Sequence, residues 1–497
     1  MAKNSEKERG RNGRSYFLGN NVETKAAAAL IILCVLYGFR IFQSASFPST
    51  WDEVDFVLAV DRFSLADMQP HFPGYPYFIL GGMLFSAFTE NNTLSLVLWS
   101  HFLLFSSVFP LFWLSKRMTS SLAGRFFITG TVQVSSYLWF VSSQPISEGA
   151  ALGVMWWYIW SLCWADEKKN LVKKSLPLFL FSILMGIRLS YLPLGTGLLL
   201  LFVWELRKHR DINRIAILLT LAVLFQWVWL SALILSEGGI FSFLHLAFSF
   251  TEGHFTEWGG AITAAKLTLL ERSLLFIKNT WFTGIAGENI LLLVMSILLT
   301  VLAVKELQGK RIKKEGALFV LLAVSYVIYA FFAQNPEKPR HMLPVASLIT
   351  FGVYAVLAGK NKGINRLLAI FLILQAANGF YLLKEARTVR PAVYQLEDYI
   401  SKSGEPSVLY TWEETRMLQY TRAPFTHKRI ETFAFFKEDE QNYSGYTVYL
   451  TGKALRGFEL QGAATKDCAK KVKTFESSHL VDPVYSSISL YEWTCRQ

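Results

Sequence analysis

Long apolar runs alternate with short charged loops along most of this chain. Runs long enough to cross a bilayer lie at about 26–43, 93–115, 126–144, 147–165, 175–189, 192–206, 212–235, 286–304, 316–334, 342–359 and 367–383. They predict a polytopic α-helical membrane protein with about eleven transmembrane helices. A further run, 76–89 (YPYFILGGMLFSAF), is shorter and interrupted by glycine. Its status decides the topology. If it does not cross, the loops on the N-terminal side (1–25, 115–125, 166–174, 206–214, 305–314, 360–366) hold 25 Lys+Arg, and the opposite loops (44–92, 144–146, 236–284, 335–341) hold 6. The positive-inside rule then places the N-terminus in the cytoplasm. If it did cross, SKRMTSSLAGR would move outside with its three cations. Residues 76–89 are therefore expected to be a partly inserted piece of the first external loop.

Past residue 383 the pattern changes. GEPSVLYTW, SGYTVYLTG and SSISLYEW read as strands bounded by Gly, Pro and Ser, and KEARTVRPAVYQLEDYISKS reads as a helix linking the last span to them. The expected organisation is a basic cytoplasmic N-terminus (1–25), a transmembrane domain (26–383) with large external loops at 44–92 and 236–284, and a small extracytoplasmic α/β or α+β domain (384–497). The first apolar run has no convincing cleavage site after it and is expected to be an uncleaved anchor.

Composition agrees with this reading. Of 497 residues 52% are hydrophobic, and the mean hydropathy is +0.32, too apolar for a soluble chain. The net charge of +12 could suggest nucleic acid, but the cations sit in short loops between spans, as topology signals do, so no nucleic-acid partner is expected. Cys34 and Cys163 lie inside apolar spans, whereas Cys468 and Cys495 lie in the tail and are free to pair if it is outside.

The chemistry concentrates in residues 47–76, FPSTWDEVDFVLAVDRFSLADMQPHFPGYP. A capping box from Thr50 to Glu53 predicts a short helix running to about Arg62. On it Asp52, Asp55, Ala59 and Arg62 share one face, while Trp51, Val54, Val57 and Leu58 fall elsewhere and suit a membrane surface. Carboxylates at such a surface are costly unless solvated or used. Asp52 is thus the candidate general base, with Glu53 beside it; capping accounts for Glu53 equally well. In the stiff segment Pro70–Pro76, His71 could bond a phosphate or simply be a satisfied structural group.

Four other places carry candidates. Glu148 stands in the very short external turn QPISEG. Arg188 and Tyr191 lie where two apolar runs meet, and a lone arginine among apolar residues needs an anionic partner. In the 236–284 loop, Glu252, His254, Glu257 and Trp258 could contact a polar acceptor, and LTLLERSLLFIKNTW reads as an interfacial helix. Lys338, Arg340 and His341, at the start of a late span, form the best phosphate-binding candidate, because a guanidinium grips phosphate bidentately. Arg40, ending the first span, is expected to snorkel to the surface. GHFTE lacks the paired histidines of a helical zinc site, so no metal ligand is assigned; a divalent cation such as Mg or Mn is the only cofactor considered. GxxxxGK[ST], GxGxxG after a strand, GxSxG and CxxC are all absent.

Taken in order, WDE in the first external loop, HFPGYP after it, LSKRMTSSLAGR, SQPISEG, GIRLSYLPL and PRHMLP resemble the GT-C glycosyltransferases, nearest the protein O-mannosyltransferases and the lipid A aminoarabinose transferase. The resemblance covers about residues 26–383. It implies an enzyme that moves a sugar from a polyprenyl- or dolichyl-phosphate donor to an external lipid, glycan or protein acceptor. It matches Asp52 to the acid of the first loop and Arg340 to the late-loop arginine near the lipid phosphate; Arg188, His341 and Lys338 are expected beside Arg340 as further phosphate contacts. Glu148 stands where those families often carry Asp, and HFPGYP departs from their HxPPL pattern. Asp55, His71, Glu148, Tyr191, His254 and Glu257 are then substrate-binding candidates. An inverting transfer is expected, in a prokaryotic cell membrane. The rival reading is a transporter or flippase of lipid-linked saccharides, which would place its charges near mid-membrane rather than at one face.

Overall fold

The computed structural model describes residues 24–25, 27–165, 170–209, 211–256, 261–262, 267–482 and 484–495. Among the described residues, seven helical stretches are long and apolar enough to cross a membrane: Asn92–Met118, Leu189–Lys208, Ile212–Ser236, Ile290–Leu307, Lys314–Ala333, Pro339–Leu357 and Lys362–Ser403. Four of the eleven predicted runs fall outside this set; the 147–165 run forms Glu148–Ala165, 18 residues whose acid and tryptophans lower its hydropathy, and the other three are broken or short. The 126–144 run is broken into Leu122–Gln133 and Ser136–Ser142. Ala27–Phe42 is shorter than a full crossing, and Leu171–Ile187 has 17 residues with Pro177 inside. The spans expose leucine, isoleucine and valine outward, as at Leu219, Val223, Val228 and Leu235 of Ile212–Ser236, the surface a bilayer would cover.

Residues 76–89 contain a helix of only 11 residues, Pro76–Ser86. Its glycines permit contact rather than flexibility. A Cβ on Gly81 would come within 2.1 Å of the Trp99 indole, and one on Gly82 within 2.5 Å of Leu96.

The Trp51–Asp61 helix is not spread on a membrane surface as its apolar residues suggested. Phe56, Val57, Ala59 and Val60 pack into the core of the membrane domain, and Val54 packs into the tail domain. A helix held from both sides is fixed in place. Arg40 also departs from expectation. It is fully buried, lies over the rings of Tyr37 and Trp139, and donates to the Ser142 hydroxyl.

Within Lys362–Ser403 the last span runs on to Thr388 and a separate helix, Ala392–Ser403, follows, where one continuous connector was predicted over 384–403; Pro391 lies between them. Five strands follow: β1 (Ser407–Thr411), β2 (Thr426–Arg429), β3 (Thr447–Thr451), β4 (Ala469–Glu476) and β5 (Ser487–Trp493). They form one sheet in the order β2-β1-β3-β5-β4. β1 runs parallel to β2 and β3, and β5 is antiparallel to β3 and β4. Leu396, Ile400, Met417 and Leu418 cover the Leu409 face, and Phe436, Leu455 and Phe458 cover the Val408 and Val448 face. Cys468 and Cys495 form a disulfide beside the β4–β5 pair.

The tail domain is docked on the membrane domain. At the β4–β5 tip Leu480 and Val481 enter the membrane-domain core. His479 pairs with Glu288 at 2.9 Å, and the Tyr394 hydroxyl donates to the Pro48 carbonyl at 2.7 Å.

Candidate active site

The Trp51–Asp61 helix starts at Thr50, whose hydroxyl accepts the Glu53 N–H at 3.4 Å. Glu53 turns back to accept the Ser49 N–H at 2.6 Å, one residue ahead of the N–H that a capping box uses. Its other oxygen, Oε1, is buried and has no hydrogen-bond partner among the described residues. Burial raises its pKa to about 8, against the opposing pull of the Ser49 N–H and Arg340.

Asp52 is in the helix's first turn and its side chain is 27% exposed. Its Oδ2 contacts the Arg340 guanidinium and lies 3.4 Å from the Lys338 ammonium. Burial pushes the carboxyl up, but Lys338, Arg340 and His71 together outweigh it and hold Asp52 well below the usual carboxylate range. Arg340 sits on the Pro339–Met342 turn that leads into Leu343–Leu357. Its Nε is 3.1 Å from Glu148 Oε1, and the same oxygen is 3.0 Å from Arg188 Nη2. Glu148 opens the Glu148–Ala165 helix, where the dipole favours an acid. Arg188 ends Leu171–Ile187 on extended backbone and donates to the Ser147 hydroxyl at 2.9 Å. Four segments far apart in sequence therefore build one chain of alternating charge: Asp52, Arg340, Glu148, Arg188. With Lys338, three cations meet two acids, a surplus that favours an anion.

His341 and Tyr191 lie at the edge of this group. The His341 Nδ1 and the Tyr191 hydroxyl are buried without a hydrogen-bond partner among the described residues. The Tyr191 ring meets Tyr326 edge-on at 5.7 Å, and the Tyr326 hydroxyl donates to the His341 carbonyl at 3.4 Å.

Asp55 and His71 are brought to each other rather than to this chain. His71 Nδ1 is 3.2 Å from Asp55 Oδ2, and Nε2 is 3.1 Å from the Tyr75 hydroxyl. The other Asp55 oxygen takes Arg416 Nε at 2.9 Å. Burial pushes the Asp55 carboxyl up, with His71 and Arg416 opposing. Arg416 also donates to the Asp67 and Met68 carbonyls. No local signal in the tail's TWEETRMLQY marks this arginine as a partner of the first loop.

The 236–284 candidates lie apart from Asp52's partners. His254 Nε2 is 3.0 Å from the Ala333 carbonyl, Glu252 is exposed, and Glu257 and Trp258 lie outside the described residues. The predicted interfacial helix appears as Leu269–Ile277 with a complete Thr268–Glu271 capping box. Leu269, Leu270, Leu274 and Ile277 face outward. As for a divalent cation, no three of His, Cys, Asp or Glu converge among the described residues. Asp52 and Glu148 converge on the Arg340 guanidinium, a donor set filled by a fixed cation.

No protein-family model matches the sequence and no curated protein matches it. Solved structures do. ArnT from Cupriavidus metallidurans bound to undecaprenyl phosphate superposes with a TM-score of 0.56, and ArnT from the same organism in the apo state with 0.58. Both are 10% identical, covering 95% of this chain and 99% of theirs. At that identity the likeness shows a shared fold, tail domain included.

Proposed function

We propose that this protein is a multi-pass membrane glycosyltransferase that moves a sugar from a polyprenyl-phosphate donor to an acceptor at the outer membrane face, with inversion. The observation that carries the reading is the Asp52–Arg340 contact, at a junction of surplus positive charge, in a fold whose solved relative ArnT is described bound to undecaprenyl phosphate.

The acceptor hydroxyl attacks the anomeric carbon from the face opposite the phosphate and gives its proton to Asp52. The bond from that carbon to the phosphate oxygen breaks, and polyprenyl phosphate leaves with the electron pair. Arg340, Lys338 and Arg188 neutralise the developing charge, which a preorganised guanidinium does without reorganisation.

The resting Asp52 is a weak base because Arg340 and Lys338 hold it ionised. A donor phosphate competes for those cations, and as they turn toward it the Asp52 pKa rises toward its ordinary value. Donor binding then activates the base, and water meeting an empty site finds it quenched. The glutamate beside it, neutral and buried, shapes the helix start.

The test is incubation of purified protein with a panel of polyprenyl-phosphate sugars, following release of polyprenyl phosphate. Release that depends on Asp52 is the expected result. Uncleaved donors across the panel, with the lipid phosphates nonetheless bound, would point to transport instead.

A further inference from the structure

Tyr75 is held in a conformation that its side chain disfavours. Its φ of 47° and ψ of 44° lie in the left-handed region, where a bulky residue is an outlier. It stands at the start of the Pro76–Ser86 helix, yet its side chain makes no capping bond there. Capping therefore does not account for the strain, and strained residues gather where a side chain must be aimed.

Two neighbourhoods meet at this side chain. On one side the Tyr75 hydroxyl is 3.1 Å from His71 Nε2, and His71 Nδ1 is 3.2 Å from Asp55 Oδ2. The other side borders the chain of charges. The Tyr75 ring meets Phe56 edge-on at 4.8 Å, and Phe56 lies one helical turn past Asp52. Tyr77, just after it, rests on Gly186, where an added Cβ would come within 2.3 Å of the ring; Gly186 leads directly to Arg188. The charges of Arg188, Asp52, Glu148 and Arg340 all act on the Tyr75 hydroxyl, and desolvation pushes its pKa up, so it meets a ligand as an intact O–H. Tyr75 and His71 are both partly exposed.

Asp55 fixes where the proton of His71 sits. Arg416 holds the other Asp55 oxygen at 2.9 Å, and a carboxylate kept ionised by a fixed cation only accepts, so His71 carries its proton on Nδ1. Neutral His71 then has a bare Nε2, and the Tyr75 O–H is spent on it. To donate to a phosphate, Tyr75 would have to leave Nε2 unbonded. A second proton on His71 removes that conflict: Nε2–H donates to the tyrosine oxygen, and the Tyr75 O–H is free to turn to the phosphate. The charged and titratable groups facing His71 among the described residues are Asp55 and Asp52 of the Trp51–Asp61 helix, Arg416 of the tail behind Asp55, and Tyr75.

On the glycosyl-transfer reading above, we propose that Tyr75 is a contact of the donor phosphate, and that this phosphate binds together with a proton carried by His71. The proton comes from solvent, an N–H bond forms at Nε2, and the imidazolium rests on Asp55. Charge balance gives this proton its use. Arg340, Arg188 and Lys338 exceed Asp52 and Glu148 by one charge, which matches the single charge of a donor phosphodiester. As the sugar leaves, the phosphate gains a second negative charge, and the imidazolium meets it through Tyr75 without reorganisation.

Calorimetric titration of the full-length protein in detergent with polyprenyl methyl phosphate reads the coupling without turnover. This diester keeps one charge at pH 6 to 7, and Glu53, whose pKa burial raises to about 8, holds its proton there. Heats in buffers of different ionisation enthalpy give the protons taken up. Wild type is expected to take up about one proton per diester bound at pH 7. Tyr75→Phe keeps the ring and loses the hydroxyl; it should take up none and bind about tenfold more weakly, in protein whose melting temperature matches wild type. His71→Gln should likewise take up none. No uptake by wild type, unchanged uptake in Tyr75→Phe, or no binding of the diester would overturn the coupling. Uptake on binding, with no polyprenyl-phosphate sugar cleaved, would refute glycosyl transfer and leave the coupling standing. Cleavage without uptake would do the reverse.

Discussion

Arg416 of the tail domain closes on Asp55 of the Trp51–Asp61 helix, with Nε 2.9 Å from Oδ1 across 361 residues of sequence. The Asp55 side chain is completely buried, and the helix that carries it also carries Asp52. Removing one partner of a buried ion pair typically costs about 3–5 kcal/mol, because the survivor keeps its burial and loses its charge balance. Arg416→Ala should therefore lower the melting temperature and speed hydrogen exchange in residues 51–61, and Asp55→Asn in the same background should recover part of the loss. Wild-type melting and exchange in Arg416→Ala would show that the two domains are held by their apolar contacts alone.

Glu53 predicts a pH dependence. Its folded pKa is about 8 against an ordinary 4.5, so between those values the folded chain keeps a proton that the unfolded chain has released. Its contribution is fully present below about 4.5 and is lost as pH rises to about 8, by up to about 5 kcal/mol. Glu53→Gln keeps the neutral shape and should flatten that slope, making the variant the more stable protein at pH 8.5. Melting curves at pH 5.5 and 8.5 decide it, and parallel slopes would remove Glu53 as the titrating group.

Asp52→Asn removes the proposed base while keeping size and most hydrogen bonding. Loss of a positioned base costs about 10²–10⁴ in rate. Turnover should fall by that factor at matched protein levels, with donor binding changed far less. Full turnover in Asp52→Asn would mean that the reaction uses another base.

Arg340 touches both Asp52 and Glu148, so its loss has two effects. Arg340→Ala should weaken binding of polyprenyl phosphate by about tenfold or more, since a fixed charge-assisted contact is worth roughly 1.5–3 kcal/mol. It should also raise the Asp52 pKa, seen as a shift of the acid limb of any pH–rate profile toward higher pH. Arg340→Lys should restore charge but not the fork that spans both acids. Unaltered lipid-phosphate affinity in Arg340→Ala would take this residue out of the donor site.

Orientation is tested by single cysteines in a chain lacking its free thiols. At the exposed positions Asn170 and Asn361 they should resist an impermeant thiol reagent in intact cells, and at Asp67 and Ser444 they should react. Labelling at Asn170 would reverse or redraw the topology.

Sequence alone determined what depends on neighbouring residues. A helix starting at Thr50, strands at 407–411, 447–451 and 487–493, an apolar chain threaded by basic loops, and a tail of different texture all follow from short-range periodicity and capping. Even the acids and arginines of the site could be picked out one at a time, because a charge beside an apolar run needs an explanation. The two strands that escaped notice are β2 (THKR) and β4 (AKKVKTFE), the edges of the sheet. An edge strand loses little by carrying lysine and gains protection from pairing with another chain, so it lacks the apolar alternation that marks β1, β3 and β5. Only the tertiary structure decided the partners. Asp52 meets Arg340 across 288 residues, Arg188 meets Glu148, and Asp55 turns away from both to Arg416. A charge seeks any opposite charge, and its sequence carries no record of which one the packing of apolar helices will bring within 4 Å.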